Sequence, residues 1–290
     1  MIKFVNLVLS IMLSCLILMP TTALASSNSN TITINEYEQY KSLKELKDFE
    51  LEELGYTKED IKEFKNLDYK KELKDRSKLS KEQLKNMGYS DEKINGLKSY
   101  DGSEEQTSTL SATLSLSSNI YSASATKYKV NFNWAWSSAP IFWGNDVVGC
   151  AWSGTNPSSQ PMNLAYSSNS YHTIYYKWTD TGKTYSQTGA ITRLNDYGLV
   201  AMHFSEGTNL GEGIGTYAYK GSGRIEVNTI NSATSQEICM RFEYGHNTIG
   251  LKPSVSASGS GVGLNISFSW YIDTIATSMH RYNRYGSTLS

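Results

Sequence analysis

From Tyr128 to Trp136 the chain alternates without a slip. Tyr128, Val130, Phe132, Trp134 and Trp136 fall on one phase; Lys129, Asn131, Asn133 and Ala135 fall on the other. A period of two sends successive side chains to opposite faces of a strand, so this segment is specified as a strand with one buried aromatic face. Such a strand needs partners, and the downstream sequence supplies them. Strand-like runs recur at 147–152, 171–178, 186–194, 199–204, 215–219, 224–230, 237–244 and 264–272. Turn signals separate them: Asp180-Thr181-Gly182-Lys183, Asn195-Asp196-Tyr197-Gly198, Lys220-Gly221-Ser222-Gly223 and Tyr244-Gly245-His246-Asn247. Short strands at this spacing, with no helical pattern between them, predict an antiparallel β-sandwich or barrel over residues 109–290.

Upstream the chemistry changes. Residues 36–105 carry 15 Lys/Arg and 19 Asp/Glu with no Trp and no Cys, whereas residues 106–290 carry 11 Lys/Arg, 9 Asp/Glu and all six Trp. The first stretch is built from good helix formers, the second from strand and turn formers. A phrase occurs twice in the helical stretch, as Gly55-Tyr56-Thr57 and Gly88-Tyr89-Ser90. In each copy the glycine stands where a left-handed residue ends a helix. The Thr or Ser caps the next helix, and the tyrosine is placed to staple against Ile61 or Ile94. Ser42 with Glu45, and Ser80 with Gln83, have capping-box spacing and mark further helix starts. The expected fold class is therefore α+β in separate domains. A small charged helical-hairpin module spans residues 26–101, a linker residues 102–108, and an all-β antiparallel sandwich (or barrel) residues 109–290.

The first residues read as a secretory signal peptide, 1–25. Lys3 precedes an apolar run from Phe4 to Met19, Pro20 breaks it, and Ala23-Leu24-Ala25 offers a small-x-small cleavage site after Ala25. The run is shorter than the roughly 20 residues that a spanning helix needs. The chain is thus expected outside the cell, secreted or associated with the envelope. Removing the signal leaves Cys150 and Cys239 in an oxidising compartment. A disulfide between them is allowed, and so is a pair of buried thiols. No CxxC or Cys/His cluster points to a metal, and no cofactor motif is present. The formal charge of −1 gives no field for nucleic acid, and the acidic helical module lacks the basic footprint of a DNA reader.

No catalytic motif emerges. His172, His203, His246 and His280 occur in neither HExxH nor a comparable frame, and no GxSxG elbow is present. Asp146, Glu206, Glu212, Glu226, Glu237 and Glu243 could supply paired carboxylates for glycoside hydrolysis, but no spacing singles out a pair. His203 and Glu206 fall on opposite phases of a strand. The aromatic stretch NWAWSSAPIFWGNDVVGCAW is the stronger signal: Trp134, Trp136, Trp143 and Trp152 are interleaved with Asn, Ser and Asp146. Flat rings beside amide and carboxylate groups suit sugars, although large aromatics within strands usually fill cores. Trp143, between Pro140 and Gly144, is the residue best placed for exposure. The expected function is non-enzymatic binding to cell-wall or extracellular polysaccharide, with no metal or cofactor. Two other readings remain. TLSATLSLSS (109–118) and PSVSASGSGVGLNISFSW (253–270) alternate as a membrane-inserting hairpin would, which suits a β-type pore former. A secreted hydrolase without a recognisable motif is the third.

Overall fold

A computed structural model describes residues 31–53, 56–142, 144–195, 198–211, 214–246, 254–258, 265–269 and 273–289. The signal-peptide reading, with Ala25, lies outside the described residues, as do Gly55, Trp143, Glu212 and Asn247. Among the described residues the chain is mixed helix and strand, with seven α-helices and two large antiparallel sheets. None of these helices is long and apolar enough to cross a membrane.

The chain opens with strand β1 (Thr31–Asn35). Seven helices follow: α1 (Glu36–Lys44), α2 (Asp48–Glu53), α3 (Lys58–Asn66), α4 (Tyr69–Arg76), α5 (Lys81–Asn86), α6 (Asp91–Lys98) and α7 (Glu104–Leu110). The capping residues act as their chemistry dictates. Thr57 forms a capping box with Asp60 at α3, Ser80 forms one with Gln83 at α5, and the Ser90 side chain accepts from the Lys93 amide at α6. Gly88, at φ +87°, ends α5. The Tyr89 amide reaches back to the Leu84 carbonyl and the Gly88 amide to that of Lys85, which satisfies two carbonyls that the helix leaves open. Ser42 starts no helix; it lies inside α1, where its hydroxyl donates to the Glu38 carbonyl. The segment expected as a linker holds α7, capped by Ser103.

The helices bury one cluster in which Leu51, Phe64, Leu73, Leu84 and Leu97 are wholly inaccessible. Each such side chain contributes roughly 1.5–3 kcal/mol on removal from water. The cluster does not stop at the helices. Ala139, Ile141, Phe142 and Tyr217, from the β-rich half, belong to it. The Gly88 turn sits at this seam. The Ala139 amide donates to the Met87 carbonyl (2.7 Å), and the Tyr217 hydroxyl to the Asn86 carbonyl (3.3 Å). Arg76, buried, donates to the Tyr89 hydroxyl and to the carbonyls of Ala139 and Pro140.

The β-rich half comprises β2 (Thr113–Ala123), β3 (Lys127–Trp136), β4 (Asn145–Thr155), β5 (Pro161–Met162), β6 (Leu164–Tyr166), β7 (Tyr171–Trp178), β8 (Thr184–Thr188), β9 (Ala190–Asn195), β10 (Leu199–Ser205), β11 (Gly207–Gly211), β12 (Ile214–Thr229), β13 (Glu237–His246), β14 (Ser254–Ser258), β15 (Asn265–Ser269), β16 (Asp273–Asn283) and β17 (Thr288–Leu289). One sheet runs β1-β2-β3-β12-β7-β8, with β6 and β11 also on β12. The other runs β17-β16-β13-β4-β10-β9, with β5 on β4. Strands β14 and β15 pair only with each other. The inner faces of the two large sheets share one core. Phe132 and Trp134 from β3, Trp152 from β4, Met202 from β10 and Phe242 and Tyr244 from β13 are all buried in it.

Further features depart from expectation, among them Tyr244-Gly245-His246, which is the end of strand β13 and not a turn. The Thr31–Asn35 strand, ahead of the helices, pairs antiparallel with β2, Thr31 opposite Ser117 and Asn35 opposite Thr113. The Lys220-Gly221-Ser222-Gly223 stretch is not a turn but the middle of β12. Its glycines lie on the inner face opposite Trp134 and Phe132, and a methyl at Gly221 would stand 2.3 Å from the Trp134 ring. The glycines make room for aromatic rings, which is the second reason a strand tolerates glycine.

The cysteines do not form the allowed disulfide. Both are buried thiols. On adjacent strands Cys150 stands opposite Phe242 and Cys239 opposite Ser153. Cys239 and Phe242 are three positions apart, an odd offset along the strand, so the two sulfurs lie on opposite faces of the sheet.

Candidate functional site

Burial decides the fate of the tryptophans. Trp134 and Trp152 are 1% and 2% exposed, Trp136 is 5%, and Asp146 is fully buried. Trp134 stacks on Phe204 at 4.8 Å between ring centroids, and Trp152 donates its indole N–H to the Leu164 carbonyl at 2.7 Å. These rings fill the core and present no platform to a sugar. The correction follows from the alternation itself, because all the aromatics of β3 share the buried phase.

The opposite phase builds a different surface. Register across β2, β3, β12 and β7 aligns Ser115, Ala135, Lys220 and Tyr175 in one row. A second row holds Ser117, Asn133, Ser222 and Thr173. Between these rows runs a groove of about 320 Å³ lined by Ser115, Ser117, Asn133, Tyr175, Lys220 and Ser222. Lys220 Nζ stands 4.9 Å from the Tyr175 ring centre. A third row adds Asn131, Arg224 and Tyr171. There the Arg224 guanidinium lies 3.6 Å from the ring centre of exposed Tyr121, and its Nε donates to Asn131 Oδ1 at 2.8 Å. Hydroxyls, amides, tyrosine rings and fixed cations thus share one solvent-facing sheet surface. Such groups can offer donors, acceptors and an apolar ring face to a polyhydroxylated ligand.

A second cluster lies inside, at one end of the two sheets. Gly245 of β13 pairs with Val147 of β4, which brings His246 opposite Asp146, and Asp146 in turn pairs with Phe204 of β10. Glu206, two residues beyond Phe204 and just past the end of β10, is again on the inward phase. His246 Nδ1 lies 3.0 and 3.1 Å from the two Asp146 oxygens. The Tyr244 hydroxyl stands 2.6 Å from Asp146 Oδ2 and 2.8 Å from Glu206 Oε1, and Trp136 Nε1 donates to Glu206 Oε1 at 3.2 Å. Glu36, the first residue of α1, closes the cluster from the helical side. Its carboxylate accepts from the Ile141 and Phe142 amides and the Tyr69 hydroxyl, and it lies 3.6 Å from His246 Nε2. Burial drives the Glu206 carboxyl well above its usual range, and the adjacent Asp146 charge adds to this. Burial also opposes the Asp146 charge, but the His246 charge together with hydrogen bonds from Glu206, His246 and Tyr244 outweighs it and holds that carboxyl low. His246 is likewise penalised by burial, yet the Asp146 carboxylate raises it well above an ordinary histidine.

Of the six acids considered for glycoside hydrolysis, only Asp146 and Glu206 come together. Glu226 is held by Lys127 and Lys129, Glu237 by Arg281 and Glu243 by Arg241; Glu212 is outside the described residues. The Asp146–Glu206 pair is fully buried, with donor atoms within 4.8 Å of each other, tighter than the roughly 5–5.5 Å of a retaining pair. His203 is half-buried on the other phase of β10 from Glu206, as its spacing implied. The register, not the spacing in sequence, assembles the cluster. The legible trace of it was a polar residue at the end of three inward phases.

Comparison with known proteins gives little. No protein-family model matches the chain, and no curated protein does. Among solved structures, one described by the words "AvmM Catalyzes Macrocyclization in Alchivemycin A Biosynthesis" aligns with 60% of this chain and 91% of its own, at 8% identity and a TM-score of 0.27. A likeness at that level carries no argument about function.

Proposed function

We propose that this chain is an exported, non-enzymatic β-sandwich protein that binds cell-wall or extracellular polysaccharide through the outer face of its eight-stranded sheet. The observation that carries the reading is the groove lined by Ser115, Ser117, Asn133, Tyr175, Lys220 and Ser222. Its side chains can pair with sugar hydroxyl groups, and the Tyr175 ring offers a face on which a sugar can pack. The signal-like N-terminus supports a location where such polymers occur. The expected result of replacing Tyr175 and Asn133 together by alanine is about tenfold weaker retention on purified cell walls or soluble polysaccharides, with the melting temperature little changed. Undiminished retention of the double variant overturns the assignment.

A pore-forming reading has one observation in its favour. The alternating segments 254–258 and 265–269 form a hairpin whose strands pair with neither large sheet. Segment 109–118 is a poorer candidate, since Leu114 and Leu116 of β2 are wholly buried in the core. Dye leakage from liposomes, lost on deleting the hairpin, supports this reading; intact liposomes at high protein concentration remove it.

A further inference from the structure

We infer that Asp146, Glu206 and His246 form a buried site for a divalent transition-metal ion of the zinc or manganese class. Their donor atoms lie within 4.8 Å of one another, and all three residues are at most 2% exposed. The distances of 3.0 and 3.1 Å between His246 Nδ1 and the Asp146 oxygens match neighbouring donors on one ion bound at about 2.0–2.2 Å.

Three further features point the same way. Glu206 Oε2 is buried and no N–H or hydroxyl donor of the protein reaches it; what stands beside it is a second carboxyl, that of Asp146. His246 Nε2 faces the Glu36 carboxylate at 3.6 Å. With Nδ1 on the ion, Nε2 carries its proton toward Glu36, the carboxylate–histidine–metal arrangement that fixes a liganding imidazole. Tyr244 and Trp136 donate to the two liganding carboxylates and hold them in place. One nitrogen and two oxygen donors without sulfur suit zinc or manganese better than calcium or magnesium, which favour oxygen alone. The ion would tie together β4, β10 and β13 and, through Glu36, the start of α1.

The test uses the full mature chain stripped with EDTA. Zinc or manganese chloride is added either to the folded protein or during refolding, because the site is closed to solvent. One bound equivalent by elemental analysis after desalting, with a raised melting temperature, is expected. Glu206→Gln keeps the side-chain volume and the Oε1 acceptor and should fold, but lose at least about tenfold in affinity. His203→Ala, on the opposite face of β10, should bind as the wild type does. No stoichiometric uptake of either metal by either route overturns the assignment, whatever the variants do. Uptake abolished by His203→Ala, or unaffected in folded Glu206→Gln, overturns it as well. Polysaccharide retention is measured in parallel and stands or falls separately.

Discussion

The two phases of β3 lie on one backbone and have opposite fates. Tyr128, Val130, Phe132, Trp134 and Trp136 vanish into the core, while Lys129, Asn131 and Asn133 look outward with Ser, Thr and Tyr from the neighbouring strands. The inner phase is intolerant because each ring is locked against a specific neighbour, even to the point of requiring glycine across the strand. The outer phase is tolerant because its residues meet water. Stability therefore resides on one face, which leaves the other to the proposed recognition.

That division can be broken by substitution. Trp134→Ala removes a ring packed against Phe204 and Tyr244 and should cost about 3–5 kcal/mol in urea unfolding. A loss below about 1 kcal/mol would mean that the inner face is not a packed core. His172 belongs to the same face. It accepts from Trp134 Nε1, and burial lowers its pKa to about 4. The folded state thus keeps it neutral while the unfolded chain, near 6.5, takes up a proton. Stability should fall as pH drops from about 6.5 to about 4, by up to roughly 3 kcal/mol, and level off below. His172→Gln should flatten this part of the profile; wild-type and variant curves that run parallel through that window would refute it. Gly221→Ala drives a methyl into the Trp134 ring and should cost about 1–3 kcal/mol, read as a lower urea midpoint. Ser222→Ala, next in sequence but on the outer phase, should change stability by no more than about 0.5 kcal/mol while weakening polysaccharide retention. If Ser222→Ala proves as damaging as Gly221→Ala, the two faces are not independent.

Much of this was legible in the residues and some was not. The β3 alternation announces a strand, and Thr57, Ser80, Gly88 and Ser90 mark helix ends, because each is a local rule acting within a few residues. The glycines at 221 and 223 mislead for the same reason: local chemistry says turn, but a partner strand far away in sequence needs the space. The Asp146–Glu206–His246 cluster depends on the register of β4 with both β10 and β13, which spacing alone does not encode. Glu36 joins it only because α1 docks there. The same long-range placement gives the second Gly-Tyr-Ser phrase a task absent from its sequence, since its turn is where the helices meet the sheets.

The pairing of β1 with β2 gives the helical segment an unusual topology. All seven helices lie between two adjacent strands of one sheet, so they form a closed excursion fastened at both ends. A single proteolytic cut near residue 105 would not shed them; the Thr31–Asn35 strand would remain zipped to Thr113–Ser117. Were the helices an activation segment, their release would need a second cut or the peeling away of an edge strand. During synthesis β1 must also wait some eighty residues for its partner, so the helices between them have the first opportunity to fold.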